Sequence, residues 1–321
     1  MKRAAKLGFR RKKTDNRISV HQGILVVDKP VGLTSHDVVQ KVRKVFGTRQ
    51  VGHAGTLDPI ASGVLVLLVG SATRIAQYLQ EDDKEYHLTL RLGMETDTQD
   101  ITGQILSGAD PSGVGREELE KALAAYRGQF KQVPPSFSAV KRAGQPLYRL
   151  ARKGVRIEVE PREVQIRRLD LTGWDPPVAS LQVVCSKGTY MRTLCHDIGR
   201  DLGVGGCMES LVRFSSGAFP LEEAVSLDQV TSDPEPARWL RAAAGGLRFP
   251  SVELADEALI QLAGGKDVPC PNGIRKGLVS ITRKGRLIAV ATVRSRDGEQ
   301  YLGPIRVLEP NLKELLKQTD K

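Results

Sequence analysis

The sequence predicts a mixed α/β (α+β) fold in two domains, a larger unit followed by a small all-β module. Three observations predict it. Strand-like and helix-like periodicities alternate through the first 230 residues or so. At 321 residues the chain exceeds the size one core usually supports. After a stretch at 230–250 holding Pro234, Pro236, Gly245, Gly246 and Pro250, only short β-like runs follow.

Each element has a local reason. "GILVVDK" reads as a strand and "TSHDVVQKVRKVFG" as a helix. Thr34 or Ser35 can cap that helix, Val38, Val42, Val45 and Phe46 form its stripe, and Gly47 ends it. "GVLVLLVG" does not alternate, so it reads as a strand buried on both faces. A short helix through "TRIAQYLQ" follows. "EYHLTLRLG" alternates, with Tyr86, Leu88, Leu90 and Leu92 on one face. "TDTQDITG" is a polar loop, "REELEKALAAYRG" a helix, and "VPPSFSAVKRAGQPLYRLARKG" a proline-rich loop feeding a short helix. Strands are expected at 155–172 and 180–185. "KGTYMRTLCHDIGRDLG" is a helix with Met191, Leu194, Cys195, Ile198 and Leu202 as its stripe and Arg192 on the flank, free to lean into a cleft. "GLVSIT", "LIAVATV" and "YLGPIRVL" make up the terminal module.

Composition narrows the function classes. The net charge of +11 points to a polyanionic partner. Residues 1–17 hold eight Lys/Arg against Asp15, a net of +7, which leaves +4 for residues 18–321. That arm reads as a nucleic-acid-binding segment, a solvated tail or a targeting segment. No run approaches the roughly 20 apolar residues a membrane span needs. Cys185, Cys195, Cys207 and Cys270 lack C-x-x-C spacing and read as reduced thiols, not as a zinc site or disulfide framework.

One acidic residue raises a chemical question. In "RQVGHAGTLDPIASGVLVLLVG", Asp58 lies between a glycine-rich turn and the aliphatic run, close to a dry interior. An ionised group there is costly unless paired. Asp58 is either a turn former or a lone carboxylate nucleophile or base held by a cation, for which Arg192 is the candidate. His53, in the same loop, either bonds loop backbone or contacts an extruded base. Tyr86 either fills the core or is an aromatic platform for a base, with its hydroxyl free for proton transfer.

Taken together, five stretches resemble the TruB family of tRNA pseudouridine synthases: "GILVVDKPVGLTSHDVV", "VGHAGTLDPIASGVLVLLVG", "EYHLTLRLGMETDTQDITG", "VPPSFSAVKRAGQPLYRLARKG" and "CSKGTYMRTLCHDIGRDLG", in family order and spacing. The resemblance covers residues 23–215 closely and the C-terminal module more weakly. It implies the pseudouridine-synthase fold, with a mixed, largely antiparallel central sheet and a small all-β PUA-like C-terminal domain. It divides the chain into a disordered basic arm at 1–17, a catalytic domain at 18–249 and a PUA-like RNA-binding domain at 250–321. The implied activity is isomerisation of uridine to pseudouridine at position 55 of tRNA, in the TΨC arm, by an essential aspartate and base flipping. Asp58 matches that aspartate, His53 the histidine that inserts as the base flips, and Tyr86 the tyrosine stacked on the base. Tyr190 and Leu211 match further substrate contacts, and Arg192 the arginine paired with the aspartate. No cofactor or metal is implied. The partner implied is the TΨC stem-loop of tRNA, met by a cytoplasmic monomer with no membrane attachment and no obligatory protein partner. Ala54 departs from the family, whose bacterial members have threonine there. The competing readings are a relative working inside a guide-RNA particle, an RNA chaperone without chemistry, and a nucleoside hydrolase.

Overall fold

The structure, a computed structural model, describes residues 21–138, 141–142, 145–147, 159–309 and 312. The basic arm at 1–17 lies outside them, as does most of the short helix expected after Leu147.

The aliphatic runs build a ten-stranded sheet. Its main path runs Val225–Ser226, Gly23–Lys29, Ala61–Val69, Gly206–Ser216, Lys84–Leu92, Val178–Cys185, Arg162–Asp175 and Gly128–Gln132. Val51–His53 and Phe219–Pro220 pair beside that path. Two pairings are parallel, Gly23–Lys29 with Val225–Ser226 and Ala61–Val69 with Gly206–Ser216. The rest are antiparallel, so the sheet is mixed and largely antiparallel.

The non-alternating strand Ala61–Val69 sits inside the sheet with both faces covered, as its pattern requires. Leu65, Leu67 and Val69 face one core, shared with helices Ser35–Val45 and Met191–Asp201. Val64, Val66 and Leu68 face a second core. Lys84–Leu92 alternates as its sequence does, with Tyr86, Leu88, Leu90 and Leu92 inward. Helix Ser35–Val45 starts on a capping box in which the Thr34 hydroxyl accepts from the Asp37 amide and the Asp37 carboxylate accepts from the Thr34 amide.

The C-terminal strands form a separate five-stranded sheet in the order Ser251–Glu253, Leu278–Arg283, Arg286–Arg296, Glu299–Val307, Val268–Pro269. One helix, Asp256–Ala263, packs Leu259 and Leu262 into this module, an element the alternating β pattern did not suggest. Leu287, Val290 and Leu308 leave that module to pack with Ile24, Val26, Val66 and Leu68. The two sheets are therefore joined by a shared apolar contact. Among the described residues no helix is long and apolar enough to cross a membrane.

Candidate active site

The segment between strands Val51–His53 and Ala61–Val69 is tied down residue by residue. The Ala54 amide donates to Val66 O (2.9 Å). Gly55 O accepts from Arg213 Nη2 (3.3 Å) and Thr56 O from Arg213 Nη1 (3.5 Å). The Ser35 hydroxyl donates to Leu57 O (3.0 Å) and accepts from the Leu57 amide (2.8 Å). Asp58 O accepts from the Ala61 amide, and Pro59 O from the Gly32 amide. Every residue from 54 to 59 thus has a fixed backbone group, so the loop is held in place before any ligand arrives. Two glycines are needed for this. Gly55 has φ +136°, a left-handed conformation that favours glycine. At Gly63, a Cβ would lie 2.3 Å from Arg213 O, so only glycine lets strand Gly206–Ser216 approach there.

The side chain of Asp58 meets Arg192 in a two-point contact. Arg192 Nε donates to Oδ2 (2.8 Å) and Nη2 to Oδ1 (3.2 Å). Arg192 is 4 % exposed while the Asp58 side chain is 34 % exposed. The arginine is therefore the floor, and the carboxylate keeps an open side for a ligand. Of the three remaining guanidinium hydrogens, two go to Thr98 O (2.9 Å) and Phe137 O (2.8 Å), and the Asp100 carboxylate lies 3.8 Å from Nε. Asp100 is itself fixed by the Thr98 hydroxyl and the Thr102 amide.

Five distant sequence stretches meet here. Gly32 and Ser35 of the first, the 54–59 loop, Thr98 and Asp100 of the third, Phe137 of the fourth and Arg192 of the fifth converge on one ion pair. The polar loop "TDTQDITG" and the proline-rich "VPPSF" serve this pair directly, which their composition did not reveal.

Of the other expected site residues, Tyr86 and Tyr190 lie near enough to feel the charge of Asp58. Tyr86, 9 % exposed, lies across from Arg213 in the sheet register, so the Arg213 charge acts on its phenol. Burial raises the Tyr86 pKa above that of an ordinary phenol. Leu211 lies two residues before Arg213 on the same strand, beside Ala61 and Leu88, and is buried. His53 ends its strand half-buried, and its Nδ1 accepts from the Gly55 amide (3.4 Å). Burial first, then the charges of Arg213 and His36, lower its pKa, which favours a neutral ring. Tyr190 precedes helix Met191–Asp201. Its backbone is clamped by Gln132, whose Nε2 donates to Tyr190 O (3.1 Å) and whose Oε1 accepts from its amide (2.8 Å). Burial raises the Tyr190 phenol as well.

Two cations were not singled out by the sequence reading. Arg213 is 1 % exposed and donates from Nε to Val64 O (2.6 Å), and no carboxylate among the described residues pairs with it. Lys29 is fully buried, and its Nζ donates to Pro30 O (2.8 Å) and Leu33 O (2.7 Å). Burial pulls its pKa down to about 8 against the attraction of Asp58. The available signal was position: Arg213 occupies an inward place on an alternating strand, and Lys29 ends a buried one. Among the described residues no group of His, Cys, Asp and Glu is arranged to hold a metal ion.

Comparison with known proteins agrees with this geometry. Residues 43–191 match the family model described as TruB family pseudouridylate synthase (N terminal domain), and residues 192–241 match the tRNA pseudouridylate synthase B C-terminal domain. A tRNA pseudouridine synthase B of Syntrophotalea carbinolica is 44 % identical over 246 residues, covering 76 % of this chain and 80 % of the relative. One from Pseudomonas aeruginosa is 41 % identical over 279 residues, covering 84 % of this chain and 91 % of the relative. Among solved structures, a chain in the crystal structure of a Cbf5-Nop10-Gar1 complex superposes with a TM-score of 0.70 at 26 % identity, covering 90 % of this chain and 86 % of that one. Identity at this level over most of the chain, with the fold and five converging stretches, places the protein: it belongs to the TruB family of pseudouridylate synthases.

Proposed function

We propose that the chain isomerises uridine to pseudouridine in the TΨC arm of tRNA, at position 55, with Asp58 as the essential carboxylate. The observation that carries this reading is the bidentate Asp58–Arg192 pair at the point where the five stretches meet. A carboxylate aimed from below and open above suits attack on a sugar carbon, or removal of a sugar proton, in a nucleotide placed over it.

The reaction breaks the C1′–N1 bond, so the base departs with the bonding electrons as an anion. The base then turns, C5 joins C1′ as any bond from C1′ to Asp58 breaks, and the C5 proton leaves while N1 takes one up. A site that excludes water protects the exposed sugar meanwhile. In our reading, Tyr86 stacks on the extruded base and holds it for rebonding. Arg213, its neighbour across the sheet, places a positive charge where it can stabilise the departing anion. Neutral His53 occupies the place the base leaves in the RNA stack. Leu211 and Tyr190 flank the base and sugar. Arg192 fixes the carboxylate and touches no substrate.

We further assign residues 18–249 to the catalytic domain and 250–321 to a PUA-like RNA-binding domain, with residues 1–17 as a basic arm that adds affinity. The separate five-stranded sheet beginning at Ser251 supports that division. The enzyme is proposed to act as a cytoplasmic monomer. The test is incubation with a uridine-containing tRNA transcript and mapping of pseudouridine. A single product at position 55 is expected. Product elsewhere only, or binding without product, would overturn the reading.

A further inference from the structure

The +4 charge of the body is not spread evenly over its surface. Helix Ser35–Val45 and the turn after it carry Lys41, Arg43, Lys44 and Arg49, and none of these forms an ion pair among the described residues. A surface depression lies among them, lined by Gln40, Arg43, Lys44, Gly47, Thr48 and Arg49. Its frame is rigid. Gly47, at φ +58°, closes the helix, with the Gly47 amide on Lys44 O (3.3 Å) and the Thr48 amide on Arg43 O (3.1 Å). Arg43 spends Nη2 on Val51 O (3.0 Å), yet its Nε, buried beneath the depression, has no partner. A buried donor left unsatisfied costs stability, so the guanidinium is held here against a penalty that a nearby anion would offset.

The depression also connects to the catalytic loop. Val51, held by Arg43, is two residues before His53 in the same strand. Along the helix, His36 is hydrogen-bonded to Gln40 (2.9 Å), and Lys44 lies one turn further on. His36 is near enough to His53 to depress its pKa. Eight residues of helix span on the order of 12 Å, a distance that a single-stranded backbone covers in a few nucleotides. The one carboxylate on this helix, Asp37, is taken up by the Thr34 cap.

We propose that this depression is a phosphate-binding site for the RNA strand as it leaves the catalytic loop, with His36 and Gln40 along its course and Arg43, Lys44 and Arg49 receiving the backbone. The proposal rests on the RNA-modifying reading above and adds to it a direction for the strand.

Lys44 and Arg49 are exposed, so the pair Lys44→Gln and Arg49→Gln in the full chain leaves the core untouched. The measurements are Kd for the tRNA transcript across a salt series and the single-turnover rate against tRNA concentration. Kd should rise about fivefold or more at low salt. The log–log salt slope should shrink by about 1.4–1.8, at roughly 0.7–0.9 for each phosphate contact. Saturating tRNA should restore turnover. Arg116→Gln with Lys121→Gln removes the same charge from the exposed side of another helix and should change the slope by less than half as much. An unchanged slope in the Lys44/Arg49 variant, or an equal loss in the Arg116/Lys121 control, would overturn the site. Failure of the parent protein to modify tRNA would overturn the functional reading instead, and the salt slopes would still decide the site.

Discussion

Two buried arginines stand on either side of the 54–59 loop, and they are satisfied in opposite ways. Arg192, from a helix, meets two carboxylates, Asp58 and Asp100, and two carbonyls. Arg213, from a strand, meets three carbonyls and lies across the sheet from Tyr86. Both fix the same loop, one through its side chain and one through its backbone. Only the first is neutralised by the protein. With Lys29 counted, three cations face two carboxylates, so a positive excess remains on the Tyr86 side. A departing anionic base would be stabilised there. On the proposed mechanism, the Arg192 side organises the carboxylate that acts on the sugar and the Arg213 side receives what leaves.

The largest effect should come from Asp58→Asn. The substitution keeps the size of the side chain and removes its charge, and Asp100, the other carboxylate beside Arg192, is buried. Pseudouridine formation should fall below detection. The stability cost should be modest, about 1 kcal/mol, because Arg192 retains Asp100, Thr98 O and Phe137 O. Product formation, tRNA Kd and Tm on one preparation check this. A folded variant that still turns over would remove Asp58 from the chemistry.

The two arginines themselves separate next. Arg192→Met leaves Asp100 buried without its cation and Asp58 unheld. Turnover should drop by more than a hundredfold. The stability loss should stay below the roughly 3–5 kcal/mol of a fully buried broken pair, since Asp58 is a third exposed. Arg213→Met orphans carbonyls of Val64, Gly55 and Thr56, at about 1–3 kcal/mol, and removes the charge behind Tyr86. Arg213→Lys keeps that charge and should recover part of kcat without recovering all of the stability. If Lys recovers stability and kcat in the same proportion, Arg213 is only a strut and the comparison fails.

Much of this arrangement was legible in the sequence. The aliphatic run of Ala61–Val69, the alternation through Tyr86–Leu92 and the stripes of helices Ser35–Val45 and Met191–Asp201 follow from periodicity, because burial repeats with the geometry of the element. The contact of Asp58 with Arg192 does not follow from spacing. It spans 134 positions in sequence; the residues made Arg192 a candidate cation, and only family resemblance paired it with Asp58. Arg213 offered only an inward place on its strand, with the carbonyl its Nε reaches 149 positions away, and Asp100 lay in what read as a plain polar loop. Helix Asp256–Ala263 was hidden by the β-like runs that follow it.

Tyr86→Phe sharpens the receiving side. Phe keeps the ring and any stacking, worth roughly 1–3 kcal/mol per base, but loses the hydroxyl that faces the Arg213 side. Retained tRNA binding with kcat reduced about tenfold or more is expected. Unchanged kcat would limit Tyr86 to stacking and leave Arg213 without a route to the base.

The smallest effect, and the one most specific to charge, concerns Lys29. Its folded pKa, about 8, lies below the 10.5 of a free lysine. Between those values the unfolded chain holds a proton that the folded chain has released, so this group makes stability rise with pH across that window. Below pH 8 both states are protonated, and its contribution is constant. Buried thiols such as Cys207, whose pKa is pushed up to about 11, act in the opposite sense. They hold stability below the ordinary thiol value and lose it as pH rises, so the parent's own profile mixes the two. Lys29→Met isolates the lysine. The variant loses the contacts to Pro30 O and Leu33 O at every pH, a constant offset. The parent-minus-variant stability should therefore be flat up to pH 8. It should then climb toward pH 10 with a slope of up to about 1.4 kcal/mol per pH unit, read from denaturant midpoints at pH 7, 8, 9 and 10. A difference that stays flat through pH 10 would mean that Lys29 holds its proton as firmly as a surface lysine. The positive excess on the Arg213 side would then persist into alkaline solution.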